Sequence, residues 1–472
     1  MNRRRLLAAL LVAGGVLAAV PQAALAHGLV GREDLPIPKW LFGWAATVVL
    51  VASFVGLAVL WPKPRLEHPT QRRWFAVPRK LLEPICGAIG IAVYVIVVYA
   101  GYAGSQTTTN NVSPTFIFVI FWVGIPVASL FFGDVFQPFN PWRAAARAVA
   151  SIASRVSRKG LPAPMAYPAA LGRWPAAAGI LVFAWVELVY SGRGFPSNLS
   201  TLVLAYTAVQ LVGICLYGAD AWNRFGDAFG VYFGLFARIS PLRWEGGVVF
   251  RRKLLSGLTT LDAVPGTVAL ACTMIGTTSF DGFSNGPVWG DLAPRMTNSL
   301  VNLGFSQATG LTIAFTIGLI AVVAIVASFY RLGVIGMRNA SNTDSSIEAL
   351  AARFAHTLVP IALAYVVAHY FSLLGYQGQA MLYLVSDPLG SGANYFGTSQ
   401  STIDYTFISA TGIWYVQVAA LVIGHVAGLI LAHDRALISF KDSRAATRSQ
   451  YWMLAVMIAF TSLGLWLLSA AQ

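Results

Sequence analysis

The chain has 472 residues, of which 57% are hydrophobic and 11% charged, against about 25% charged in a soluble globular protein. Its apolar residues gather in runs of about 18–22, long enough to cross a bilayer as helices, which excludes a soluble globular fold. The formal net charge of +14 does not point to nucleic acid, because the excess is confined to alternate loops between those runs. In chain order, residues 1–26 read as a signal peptide. Arg3, Arg4 and Arg5 form the basic region, Leu6 to Val20 the apolar region, and the small residues ending at Ala26 the cleavage site. Cleavage there makes His27 the first mature residue, whose α-amine and ring nitrogen can chelate one metal ion together.

Residues 27–472 read as a single all-α domain, a polytopic transmembrane helix bundle. Ten spans are expected, near 41–61, 85–104, 115–133, 175–192, 199–218, 263–280, 310–330, 354–375, 410–432 and 452–471. The first, LFGWAATVVLVASFVGLAVLW, has Trp residues near both ends as interfacial anchors. The loops after spans 1, 3, 5, 7 and 9 are basic, whereas the opposite set holds only Arg32, Lys39, Arg193 and Arg295. The positive-inside rule therefore puts both termini outside, in a bacterial inner membrane. Trp142–Lys159 is expected to form an amphipathic helix on the inner surface. AFGVYFGLFA (228–237) is too short to span and reads as re-entrant or interfacial. The segments 281–309 and 376–409 read as ordered outer loops or caps. The absence of an internal repeat argues against an inverted-repeat transporter. Cys86, Cys215 and Cys272 fall in or beside apolar runs and read as small buried hydrophobes.

P-loop, dinucleotide-binding and nucleophile-elbow patterns are absent. Chemistry is therefore expected at ionisable residues within the membrane, where burial is costly. Span 8 carries His369, with Tyr365 one turn earlier on the same face and Gln377 and Gln379 at the outer end. Span 6 ends in TTSFDGF and delivers Asp281 to the same surface. His27, His369 and Asp281 can converge there, and such a set suits Zn, Cu, Fe or Mn. The alternative is an exposed His27, a His369 bonded to a neighbouring helix and an Asp281 that caps a helix or loop. Span 9 carries His425 and His433, about 12 Å apart along the helix and too far for one ion. With His356 and Asp434 they form a ladder of titratable groups. The bland alternative is close packing through Gly424-x-x-x-Gly428. Glu187 lies near the outer end of span 4 and reads as functional or interfacial. Asp134, Asp220 and Asp227 are expected to pair with Arg143, Arg224 and Arg238. In FNPWR, Asn140 reads as a helix cap, Pro141 as the first-turn proline and Trp142 as an anchor.

HGLVGREDLPIPKWLF, FNPWRA, SFDGF and WYVQVAALVIGHVAGLILAHDRAL together resemble a bacterial family of integral membrane proteins known as fenitrothion hydrolases. The resemblance spans essentially the whole chain. It implies hydrolysis of an aryl phosphorothioate triester, with water displacing a nitrophenolate from phosphorus. The substrate would be an apolar small molecule that partitions into the bilayer. In that reading His27 and His369 ligate a divalent metal (Zn or Cu), Asp281 is a ligand or general base, and Gln377 orients the substrate. The metal would lower the pKa of its bound water to about 7. A copper-dependent redox or metal-handling protein is the alternative, and a proton-coupled transporter a third. A nucleic-acid partner is not expected; a second membrane subunit or a second copy of the chain is.

Overall fold

The computed structural model describes residues 39–67, 69–156, 162–341, 343–440 and 443–470. The signal peptide and His27 lie outside the described residues. The principal helices are α1 (Lys39–Leu60), α2 (Arg79–Ala103), α3 (Val112–Phe132), α4 (Pro141–Val156), α5 (Trp174–Leu188), α6 (Pro196–Tyr217) and α7 (Ala228–Ala237). They continue with α8 (Thr267–Ser284), α9 (Pro287–Asn302), α10 (Gln307–Ser341), α11 (Leu358–Gln377), α12 (Ala410–Ser439) and α13 (Tyr451–Ala470). Among the described residues, seven helices are long and apolar enough to cross a membrane: α1, α2, α3, α6, α10, α12 and the stretch Ile347–Ser386 that contains α11. α5 and α7 are apolar but shorter. Helices also occupy the expected sixth and tenth runs, as α8 and α13.

α8 lies at the centre and packs against α5, α10, α11 and α13. Its face is unusually polar for a buried helix. Thr277, Thr278 and Ser279 solve this by donating their hydroxyls to the carbonyls of Thr273, Met274 and Ile275 one turn back. α11 and α12 run together because glycine lets them. A Cβ added at Gly424 would stand 2.2 Å from Ala364 Cβ, and one at Gly428 would stand 3.0 Å from the Thr357 carbonyl oxygen. This is the small-residue contact that membrane helices use where water supplies no driving force.

α7 is the short apolar segment, and it is not a surface helix. Eight of its residues, among them Phe229, Tyr232, Phe233 and Phe236, are buried against α3, α5 and their neighbours. The middle of α3, Phe116–Gly124, is wound as a π-helix. Such segments are rare and often lie at functional sites. It delivers Trp122 onto Tyr232, with ring centroids 4.8 Å apart and planes 12° from parallel.

Two expected loops contain strands. β1 (Arg72–Ala76), β2 (Leu242–Glu245) and β3 (Val248–Arg251) form one antiparallel sheet in the order β1-β3-β2. Arg72 lies opposite Arg251 and Leu242 opposite the same residue on the other side. Gly246 and Gly247, at φ +60° and +82°, make the two-residue hairpin turn, which only left-handed conformations close. The outer segment 281–309, expected as loop, contains α9. The amphipathic helix in 142–159 is present as α4, and Asn140 caps it by accepting from the Arg143 backbone N–H at 3.0 Å. Trp142 differs from expectation. It is buried and donates to Thr207 Oγ1 at 3.0 Å instead of anchoring in the interface.

The polar residues at the helix ends expected inside act mainly as fasteners. Asp434, fully buried at 0% exposure, accepts from Trp61 Nε1 at 2.8 Å and from the backbone N–H groups of Arg65, Leu66 and Glu67 at 2.6, 2.9 and 3.0 Å. The beginning of the α1–β1 connection is thereby pinned to the end of α12. Of the expected acid–Arg pairs, Asp220 does meet Arg143, at 3.7 Å. Asp227 instead accepts from Tyr206 Oη at 2.7 Å and Asn140 Nδ2 at 3.2 Å, and Arg224 pairs with Asp262 at 2.5 Å.

Candidate functional site

Asp281 and His369 meet across the contact between α8 and α11. His369 Nε2 lies 2.8 Å from Asp281 Oδ2, and Tyr370 Oη donates to the same oxygen at 2.8 Å. Asp281 stands in the last turn of α8, where carbonyls have lost their helical partners. Ser284 Oγ and Asn285 Nδ2 take up its backbone carbonyl, each at 2.9 Å. The side chain is 5% exposed. A carboxylate so far from water must be supplied with donors, and His369 and Tyr370 supply them.

The bond pattern fixes the histidine tautomer by inference. With Asp281 as a carboxylate, which only accepts, Nε2 is the donor in this bond and Nδ1 the acceptor nitrogen. Nδ1 faces Gly282, where an added Cβ would stand 3.6 Å away. A carboxylate that orients one imidazole nitrogen while the other works is the arrangement behind general-base histidines. It is equally the arrangement behind metal-bound ones.

Three further groups adjoin the dyad. Glu187, from the end of α5, lies close enough to Asp281 for their charges to interact and adjoins Tyr370. Trp122 of the π-helical segment also adjoins Tyr370. Tyr232 of α7 reaches Glu187, and among the described residues its buried hydroxyl has no hydrogen-bond partner. An orphaned buried hydroxyl marks a place where a ligand or water completes the network. α3, α5, α7, α8 and α11 thus converge on one polar cluster inside an apolar bundle.

Of the residues expected from sequence, Asp281 and His369 are brought together. Gln377 is not among them. It ends α11 eight residues beyond His369, about 12 Å by helical rise. Gln379 serves the 376–409 segment: its Nε2 donates to Gly375 O at 2.8 Å and its Oε1 accepts from Asp404 N at 3.0 Å. The Thr406 hydroxyl, 2.6 Å from Asp404 Oδ1, holds that carboxyl below the usual carboxylate range. Tyr365, expected to share a face with His369, donates to the Phe460 carbonyl at 3.3 Å instead. His27 lies outside the described residues. Among the described residues no group of three His, Cys, Asp or Glu is arranged to hold a metal ion.

The expected ladder on α12 does not connect. His433 Nε2 lies 3.0 Å from the Trp61 carbonyl and Nδ1 lies 3.2 Å from Gln450 Nε2. His425 Nδ1 lies 2.8 Å from the Leu421 carbonyl, and His356 Nδ1 lies 3.1 Å from that of Arg353. Each histidine is tied locally, and no hydrogen bond among the described residues links one to the next. Tyr370 and the convergence of Glu187 on Asp281 went unnoticed in the sequence. The signal for Tyr370 was its position directly after His369.

Comparison of the chain with family models, with curated proteins and with solved structures finds no match in any of the three.

Proposed function

We propose that the chain is a membrane-embedded hydrolase of the bacterial inner membrane. It acts on apolar organophosphorus triesters that enter from the outer leaflet. The observation that carries this reading is the pairing of half-buried His369 with buried Asp281, completed by Tyr370 at 2.8 Å. In the proposed reaction the Nδ1 lone pair of His369 takes a proton from water as the oxygen attacks phosphorus. Asp281 stabilises the imidazolium that forms, and the nitrophenolate leaves. A divalent metal at the outer face needs donors beyond the described residues, His27 foremost. The proposed base step is routed through His369 and Asp281 alone.

We place the dyad toward the outside because the loops support ten crossings. Among the described residues, the following hydrogen-bond and strand contacts join loops of the same parity. β1, from the first expected inner loop, pairs with β3 from the third. Lys253 Nζ donates to the Arg65 carbonyl at 3.0 Å. On the other side, Ser105 N donates to Leu389 O at 2.7 Å, and Thr108 Oγ1 to Gly194 O at 2.8 Å. These partners all belong to the expected outer loops.

The test is nitrophenolate release from fenitrothion by washed membranes that hold the protein, with and without a strong chelator. Release that survives chelation and is lost in His369→Ala supports the dyad as base. Release lost on chelation and in His27→Ala moves the reaction to a metal centre. Release unchanged in His369→Ala discards this site.

A further inference from the structure

His425 stands in the middle of α12, fully buried at 0% exposure. Its Nδ1 lies 2.8 Å from the Leu421 carbonyl one turn back. A carbonyl can only accept, so Nδ1 carries the ring proton and Nε2 carries the lone pair. Among the described residues Nε2 has no hydrogen-bond partner. A histidine held by Nδ1–H on a backbone carbonyl, with a bare Nε2, is oriented as metal-ligating histidines are.

His425 lines a cavity of about 40 Å3 between α12, α13 and their neighbours. Met453 and Met457, one turn apart on α13, line the same cavity. Both are 5% exposed. Met453 Sδ lies 3.2 Å from where a Cβ on Gly333 would stand, and the Met457 methyl 3.1 Å from that of Gly428. Small residues on α10 and α12 thus receive the Met453 sulfur and the Met457 methyl group. Among the described residues no charged side chain lines the cavity. Tyr330 and Thr357 also line it, but their hydroxyls donate to the carbonyls of Ala351 and Phe354.

The geometry points to a buried site for a soft monovalent cation, copper(I), held by His425 Nε2 and the thioethers of Met453 and Met457. Thioether and imidazole donors select copper(I) over hard cations. A wholly neutral donor set in a cavity without an acid also favours a single positive charge, because each buried charge costs desolvation energy. The site lies deep in the bundle, apart from the Asp281–His369 dyad, and does not depend on the hydrolase reading.

The experiment loads the purified full-length chain with copper(I) under reducing conditions and titrates it against bicinchoninate. The Met453→Leu/Met457→Leu double variant and His425→Gln are treated in parallel. Leucine nearly matches methionine in volume, so the double variant keeps the packing and loses only sulfur. Its thermal unfolding confirms folding. Wild type is expected to hold one copper(I) more than the double variant, with sulfur scatterers at the copper edge that the variant lacks. His425→Gln should weaken binding at least tenfold. Copper held elsewhere, at His27 for example, is unchanged by these substitutions. Equal copper and equal affinity in wild type and double variant would overturn the proposal. So would a folded wild type that yields all its copper to bicinchoninate, which leaves a cavity that holds only water.

Discussion

His369 Nε2 and Asp281 Oδ2 lie 2.8 Å apart, joining α11 to α8 at a point where Tyr370 also donates. The pair predicts how activity divides between its members. Asp281→Asn preserves the shape but offers an amide where a carboxylate was. The asparagine cannot stabilise an imidazolium, and it can reverse the tautomer. Nitrophenolate release should fall by roughly 10²–10⁴-fold, the usual worth of a positioned base. Tyr370→Phe removes one donor to the same oxygen and should cost less, about tenfold. Equal losses in the two variants would mean that the cluster is only structural.

Close packing of α11 on α12 predicts a steep penalty at one glycine and none at another. A Cβ at Gly424 would stand 2.2 Å from Ala364 Cβ and 2.9 Å from the Pro360 carbonyl oxygen, so the helices must move apart. Gly424→Leu should lower stability by about 1–3 kcal/mol or more, the range for overpacking. At Gly43 an added Cβ meets nothing within 4 Å, so Gly43→Ala should leave the unfolding temperature in detergent unchanged. A Gly424→Leu protein as stable as Gly43→Ala would refute the contact.

Asp434 gathers four donors from the α1–β1 connection and is buried at 0% exposure. Asp434→Ala leaves three backbone N–H groups and an indole N–H without their acceptor. The expected cost is about 3 kcal/mol, read as a lower unfolding temperature. Asp434→Asn should recover only part of it. Its amide nitrogen is a donor facing other donors. Full recovery in the asparagine variant would show that the charge is immaterial.

The helices were legible because lipid imposes its thickness on sequence: apolar runs of span length stand out against basic loops. The sheet was not. RRWFA and LRWEGGVVFR sit among arginines, and β1 and β3 are far apart in sequence. Only the Gly-Gly pair between β2 and β3 carried a local signal, as a hairpin turn. Asp281 and His369 were legible as candidates because ionisable groups are conspicuous in spans. Their mutual bond depends on how α8 and α11 are rotated, which apolar periodicity does not encode in a helix buried on every side. For the other histidines the sequence left a path and close packing both open. In the structure His425, His433 and His356 each satisfy a nearby carbonyl.

The same-side contacts of the loops lead to a topology prediction. Arg73 pairs with Phe250 in the sheet, and both belong to loops expected inside. Phe396 is 70% exposed in the outer segment between α11 and α12. Cys215 in α6 is exposed, Cys86 in α2 is half-buried and Cys272 in α8 is buried, so both variants are made in a background with all three native cysteines replaced by alanine. In intact cells Phe396→Cys should react with a membrane-impermeant maleimide, and Arg73→Cys should react only after the membrane is opened. An even number of crossings separates the sheet from its partner loops only if those loops share a side, so labelling of both sites from outside would break the ten-span reading. Labelling of Arg73→Cys alone in intact cells would instead remove the dyad from the outer leaflet, because Asp281 and residue 396 belong to the same set of loop ends. Labelling of Phe396→Cys alone would fix the side from which an apolar ester reaches His369.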